Sequence, residues 1–364
     1  MDTTIDAIGV LTGGGDAPGL NAVLRAVVKT AIGHFKWDVI GFQDGYAGLV
    51  QKQSRKLELD DVSGILTQGG TILGTSNIAN PFRWHLGGGD ARTSVDRSTE
   101  AVSYIQSLGL DALICIGGDG TLSIAHGLSK LGVNVVGIPK TIDNDIYETD
   151  LTFGFDTAVS IATEAIDRIH TTAQSHHRVM VVEVMGRNAG WLALHSGLAG
   201  GGDIILIPEI PYKIDAICEK VTARNRRGRH FSIVVVAEGA RPEGGEPVVK
   251  RRVADSPDPI RLGGVGNLVA AEIESRLDLE TRVTVLGHLL RGGTPTAYDR
   301  VLASRLGSKA VHLAARGEFG RMARLQGGDI TSVEIEKVAD RQRLVPPDHP
   351  LVRLGRETGI CFGE

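Results

Sequence analysis

Glycine-rich loops follow β-branched runs throughout the chain, and this order constrains the fold more than any other feature. "AIGVL" runs into "TGGGDAPG", "DALICI" into "GGDG", and "NVVGI" into "PKTIDND". Later, "RVMVVEV" meets "MGRNAG", "SIVVVA" meets "EGARPEGG", and "RVTVL" meets "GHLLRGG". Several of these loops open amphipathic stretches, "NAVLRAVVKTAI" and "TLSIAHGLSKLG" among them, with apolar residues at helical spacing. Strand, glycine loop and helix therefore repeat. The repeat predicts an α/β protein of two Rossmann-like three-layer domains with mostly parallel sheets. Parallel strands need crossovers, and apolar strands must be covered on both faces. Ligands then collect beyond the carboxyl ends of the strands, which places an active site in the cleft between the domains.

A length of 364 residues with 42% hydrophobic composition supports two closely packed domains. The expected division gives residues 1–155 plus 276–320 to one domain. Residues 156–275 plus 321–364 then form the other domain and a C-terminal tail. "ARPEGGEPVVKRRVADSPDPIRLGG" reads as a surface excursion, rich in Pro, Gly and charge. A net charge of -4 argues against a nucleic-acid partner, whose recognition needs a basic surface. No stretch reaches membrane-spanning length. The N-terminus carries acidic residues ahead of a short apolar run, where a leader peptide would be basic. Cys115, Cys218 and Cys361 are scattered, with no C-x-x-C, which fits a reducing cytoplasm. A cytoplasmic protein is expected.

The loops differ in chemistry. "TGGGDAPGLN" can point backbone N–H groups and a helix N-terminus at a phosphate, or merely make a tight turn. It matches neither G-x-G-x-x-G nor G-x-x-x-x-G-K-[ST], which disfavours a dinucleotide fold and a P-loop. "IGGDGT" embeds Asp119 among glycines: one carboxylate with phosphate oxygens and waters commonly holds Mg²⁺, although Asp119 could also cap a helix. In "GIPKTIDND", an extended loop would send Asp143 and Asp145 the same way and Asn144 into the scaffold. One carboxylate can then remove a hydroxyl proton while the other orients it or serves the metal through water. A simple Asx turn is the alternative. Downstream, Arg178, Arg187, Arg282, His288 and Arg291 offer cations for a second phosphate. The basic run "ARNRRGRH" fits a solvated face or an anionic-effector site. His176 and His177 lack metal-ligand spacing.

"GVLTGGGDAPGLN", "GGDGT", "PKTIDND", "VEVMGRNAGWLAL", "AEG" and "LGHLLRGGTPTAYDR", in this order, resemble the 6-phosphofructokinases, and the likeness covers essentially the whole chain. The resemblance implies phosphoryl transfer to the 1-hydroxyl of fructose 6-phosphate, giving fructose 1,6-bisphosphate, with Mg²⁺; it makes residues 1–155 plus 276–320 the phosphoryl-donor domain and the remainder the sugar-phosphate domain and C-terminal tail. It implies Asp143 as general base, with Thr141 and Asp145 beside it and Arg187 stabilising the transferring group. Asp119 would serve the metal. Gly15, Gly118, Asp119, Gly120, Thr121 and Lys140 would hold the donor. Thr141, Ile142, Asp143, Met185, Gly186, Arg187, Glu238, His288, Leu289, Leu290 and Arg291 would bind the sugar phosphate. Arg178 and Arg282 are similar to residues that reach it from a neighbouring subunit, so a homo-oligomer, tetramer or dimer, is implied.

The donor turns on two positions. Relatives that use pyrophosphate typically carry Asp where Gly120 stands and Lys where Lys140 stands; this chain mixes the two types. Gly120 leaves room for a nucleotide α-phosphate, which favours ATP, with pyrophosphate as the alternative. Asn77 replaces an Arg that bridges donor phosphates in many relatives, leaving Arg83 or Lys140 to supply charge. Ile124 replaces a small residue near the adenosine. A non-catalytic sugar-phosphate sensor could dispense with Asp119, Asp143 or Arg187, yet all three are present. An NAD-dependent dehydrogenase lacks its fingerprint here.

Overall fold

The computed structural model describes residues 5–86, 93–252 and 260–364. The chain begins β1 (Ala7–Thr12), α1 (Leu20–Val28), β2 (Asp38–Phe42), α2 (Tyr46–Gln51), β3 (Ser54–Lys56), β4 (Trp84–Leu86), β5 (Thr93–Val95) and α3 (Ser98–Ser107). It continues β6 (Ala112–Gly117), α4 (Asp119–Lys130), β7 (Val135–Pro139), α5 (Phe155–His176), β8 (Val179–Val184), α6 (Trp191–Ala199), β9 (Ile204–Leu206), α7 (Ile214–Arg226) and β10 (Ser232–Ala237). It closes β11 (Val249–Arg252), β12 (Ile260–Leu262), α8 (Val265–Leu277), β13 (Thr281–Val285), α9 (Ala297–Ala315), β14 (Arg321–Gln326), β15 (Asp329–Glu334) and α10 (Pro350–Glu357).

A seven-stranded sheet takes the order β15-β14-β7-β6-β1-β2-β3. Its centre is parallel, and β3 and β15 join antiparallel at its edges. A second sheet, β13-β8-β10-β9, is parallel throughout. Side chains alternate across both. On β6, Ala112, Ile114 and Ile116 join the core under α1 and α9. Leu113 and Cys115 face the opposite layer, with Ala101 of α3 and Leu122 of α4. On β8, Met180, Val182 and Val184 pack with α5 and α6, whereas Val179 and Val181 meet α7 and α8. Strands buried on both faces read as continuous apolar runs, which is the pattern the sequence carries. The α/β class with mostly parallel sheets is as expected.

The expected division of the chain needs correction at three strands. β13, assigned to the donor half, pairs with β8: Thr281 to Val285 run alongside Val179 to Glu183. β14 and β15, assigned to the sugar half, extend the seven-stranded sheet from β7. Local sequence does specify β14 and β15 as a hairpin, turning at Gly327 (φ 59°) and Gly328 (φ 93°). Which sheet edge that hairpin joins is a long-range choice that residue pattern does not encode. Part of the Pro- and Gly-rich excursion forms the separate β11–β12 pair; residues 253–259 of it lie outside the described residues.

Two helices tie the halves together. Asp299 at the start of α9 accepts hydrogen bonds from the N–H (2.8 Å) and Oγ1 (2.6 Å) of Thr157, in the first turn of α5. Thr296 donates its hydroxyl to Asp156 at 2.6 Å. Helix α9 also lies close on α1 because Gly307 has no side chain: a Cβ there would stand 2.8 Å from the carbonyl oxygen of Val23. Gly307→Val should therefore overpack this contact and destabilise the chain by about 1–3 kcal/mol, read as a lowered denaturation midpoint with an unchanged m-value.

Candidate active site

Loops from the carboxyl ends of β1, β6, β7, β8, β10 and β13 converge. After β7, residues 141–154 form a turn rather than the extended loop that the sequence suggests. Asn144 adopts φ 53°, a left-handed conformation that Asn tolerates better than most residues. Its side chain is buried and accepts the Thr152 N–H at 3.1 Å. Thr152 in turn donates its hydroxyl to the Thr141 carbonyl at 2.8 Å, and the Asp143 N–H reaches Thr141 Oγ1 at 3.0 Å. Asn144 does turn into the scaffold. Neither acid caps α5, whose N-cap is Gly154 without a side-chain bond.

The donor-side loops are built around glycine. Gly13 donates to the Ile116 carbonyl at 2.8 Å and Gly14 to the Ser76 carbonyl at 3.0 Å, so the first loop is clamped between β6 and residues 75–76. A Cβ at Gly15 would lie 2.6 Å from Nη1 of Arg291, which donates to the Asp16 carbonyl at 2.9 Å. A side chain at 15 would therefore displace the guanidinium. Lys140 is 3% exposed and directs Nζ to the Gly15 carbonyl. Asp119 is the first residue of α4, after N-cap Gly118, and its Oδ2 accepts from Gln342 Nε2 at 3.2 Å. Gly120 is exposed, and a Cβ there would meet nothing within 4 Å. On the sugar side, a Cβ at Gly239 would fall 1.8 Å from the Arg187 carbonyl, so only glycine allows the β8 and β10 loops to meet.

Electrostatics show which groups share the cavity. Burial raises the Asp143 carboxyl above its ordinary range, and Asp119 adds to this, while Arg291, Lys140 and Arg187 oppose it. Its Oδ1 is buried without a hydrogen-bond partner. Burial, Asp143 and Asp119 push Asp145 up to about 8. Burial first, then Asp143 and Glu183, raise Glu238 to about 7, against Arg291 and Arg187. Burial and Arg291 lower Lys140 to about 8. The structure thus brings Gly15, Asp119, Lys140, Asp143, Asp145, Arg187, Glu238 and Arg291 together.

Other expected residues lie differently. Thr121 sits beneath Gly13 and Gly117, and Met185 and Gly186 follow β8 directly. Ile142 and Leu290 are core residues, 1% and 0% exposed, and can offer a ligand only backbone. Leu289 points outward, as does His288. Arg178 and Arg282 flank the amino ends of β8 and β13, where both pair with Glu280, far along the strands from Arg187 and Arg291. Asn77 is exposed, and Ile124 packs beside Phe82 at the edge of a core. Sequence reasoning missed Gln342 and Asn188. With Glu209 and Arg241 they line a cleft of about 520 Å³ that includes Arg187.

A family model described as Phosphofructokinase matches residues 7–314. The chain belongs to the phosphofructokinase family. It is 52% identical, over all of both chains, to the ATP-dependent 6-phosphofructokinase 2 of Clostridium perfringens. It is also 52% identical to the pyrophosphate–fructose 6-phosphate 1-phosphotransferase of Amycolatopsis methanolica, covering 94% of this chain and 96% of that one. Among solved structures, phosphofructokinase from Saccharomyces cerevisiae superposes with a TM-score of 0.76 at 34% identity. That match covers 92% of this chain and 45% of the longer yeast chain.

The raised Asp145 carboxyl fixes a sign. Folded Asp145 holds its proton up to about pH 8, whereas unfolded it releases it near pH 4, so this group's stabilisation is greatest in acid and is lost as pH rises through that window. The melting temperature of the ligand-free protein should fall between about pH 4 and pH 8, and Asp145→Asn should flatten that fall.

Proposed function

We propose that the chain transfers the γ-phosphate of ATP to the 1-hydroxyl of fructose 6-phosphate, giving fructose 1,6-bisphosphate and ADP. The observation that carries this reading is Asp143: a buried carboxylate with an unpartnered oxygen, its affinity for a proton raised, set among Lys140, Arg187 and Arg291. Such a group takes the proton as the sugar hydroxyl attacks phosphorus. Arg187 stabilises charge on the transferring phosphoryl group. Glu238, Met185 and Gly186 line the sugar pocket, and Arg291 and His288 hold its phosphate from the same chain.

Asp119 fits a cation site, because it begins α4 without capping it and has donor loops on either side. There it would hold Mg²⁺ with phosphate oxygens and water, and that ion neutralises the donor phosphates. Among the described residues no group of three or more His, Cys, Asp or Glu side chains is arranged to hold a metal. Open space above Gly120 suits a nucleotide. A second reading, pyrophosphate as donor, draws on Lys140, whose buried ammonium reaches the glycine loop, and on the Amycolatopsis relative.

Arg178 and Arg282 can serve the sugar phosphate only from a neighbouring chain, since their own cavity lies at the opposite strand ends. That placement supports a homo-oligomer, dimer or tetramer. Among the described residues no helix is long and apolar enough to cross a membrane; it is the free, scattered cysteines Cys115, Cys218 and Cys361 that support a cytoplasmic enzyme.

Purified protein with Mg²⁺ and fructose 6-phosphate should consume ATP, and Gly120→Asp should depress ATP use more than pyrophosphate use. Turnover with pyrophosphate alone in the unaltered protein would reverse the donor assignment. Asp143→Ser should reduce kcat by about 10²–10⁴-fold while sugar-phosphate binding, followed by calorimetry, changes little.

A further inference from the structure

The C-terminal arm, residues 341–349, is sewn along one wall of the cavity, although nothing in the site's glycine loops announces it. The Arg343 N–H donates to the Asp145 carbonyl at 2.8 Å, and its guanidinium donates to the Asp150 carbonyl at 2.6 Å. The same guanidinium lies 4.4 Å from the ring centroid of Trp191, whose Nε1 donates to the Arg343 carbonyl at 2.8 Å. The Val345 N–H meets Glu209 Oε1 at 2.8 Å, and that carboxylate also accepts the Gly190 N–H. One short segment therefore grips both the loop after β7 and the start of α6.

Immediately before these anchors, Gln342 enters the reaction centre. Its Nε2 donates to Asp119 Oδ2 at 3.2 Å and lies 3.4 Å from Asp145 Oδ2, while its Oε1 accepts from Asn188 Nδ2 at 3.0 Å. Asp119 belongs to α4 and Asp145 to the loop after β7, both built on the large sheet. Asn188 follows Arg187 in the loop after β8, on the other sheet. An amide suits this place: its NH₂ face satisfies two acids that would otherwise face each other, and its oxygen takes the third bond. Glutamate would set a carboxylate against Asp119 and lose the donor face, and methionine would fill the space without any of these bonds.

We propose that Gln342 is a positioning residue, which sets the separation of Asp119 and Asp145 and ties both to the Arg187 loop, so that the C-terminal arm aligns donor and acceptor halves of the site. The inference rests on the phosphoryl-transfer reading for its consequence in turnover, but not for its geometry.

Two variants test it, each first shown to be folded by near-UV circular dichroism and an unaltered oligomeric state. Gln342→Met should lower kcat about tenfold or more while the KM for fructose 6-phosphate moves less than about twofold, the split expected when alignment rather than sugar binding is lost. Gln342→Glu should place a third carboxylate between Asp119 and Asp145. The variant should therefore bind Mn²⁺ without nucleotide about tenfold or more tightly than the unaltered protein, in a titration followed by electron paramagnetic resonance. Turnover of Gln342→Met within about twofold of the unaltered protein, or Mn²⁺ affinity unmoved by Gln342→Glu, overturns the proposal. An unaltered protein that turns over with neither ATP nor pyrophosphate counts instead against the phosphoryl-transfer reading, and the Mn²⁺ titration still decides where Gln342 sits.

Discussion

Three aspartates and a glutamate cannot share a water-poor cavity unless cations stand among them. Beyond burial, Asp119 raises the proton affinity of Asp143 and Asp145, and Asp143 raises that of Asp145 and Glu238, while Arg291, Lys140 and Arg187 counter this at Asp143, and Arg291 and Arg187 at Glu238. Isolated buried charges cost several kcal/mol each, so this mixture persists only because the fold holds every member in place. Lys140 shows the balance from the other side: burial and Arg291 weaken its hold on a proton, while Asp16, Asp143 and Asp119 strengthen it. Bound phosphates add anionic charge near the cations.

That arrangement relies on backbone approaches that side chains would block. Gly15 admits the Arg291 guanidinium, and Gly239 admits the Arg187 carbonyl. Each brings a cation-bearing loop from the second sheet against an acid-bearing loop or its neighbour. The glycines thus do more than turn the chain: they set how closely opposite charges approach, and with it how strongly they interact.

Much of this was legible in sequence. Apolar runs ending in glycine marked the strands and their carboxyl ends, because strands covered on both faces need unbroken hydrophobicity. The acids of "GGDGT" and "PKTIDND" stood out because charge inside such loops has little structural purpose. Asn144 was read correctly as scaffold but for an incomplete reason, since its left-handed backbone is what turns Asp143 and Asp145 into one cavity. Strand partners of β13 and β14 were not legible, as pairing across sequence depends on the assembled sheet. Gln342 was invisible for a simpler cause: a lone glutamine in "ADRQRLVPP" carries no periodicity, charge pattern or turn chemistry.

The corrected strand assignment has a consequence for how the molecule comes into being. The chain passes between the two sheets after β7, again before α9, and a third time along the C-terminal arm. Until β14 is made, β7 is left as an open parallel edge, whereas β8 gains β13 earlier in the chain. A ribosome that has released the first three hundred residues has therefore delivered every strand of the four-stranded sheet, but neither β14 and β15 of the larger sheet nor the segment that stitches the two. Vectorial synthesis therefore supplies the strands of the second sheet before it can finish the first; the larger sheet is completed only within the last sixty or so residues, and premature termination there leaves β7 as an exposed strand edge prone to sticking to other chains.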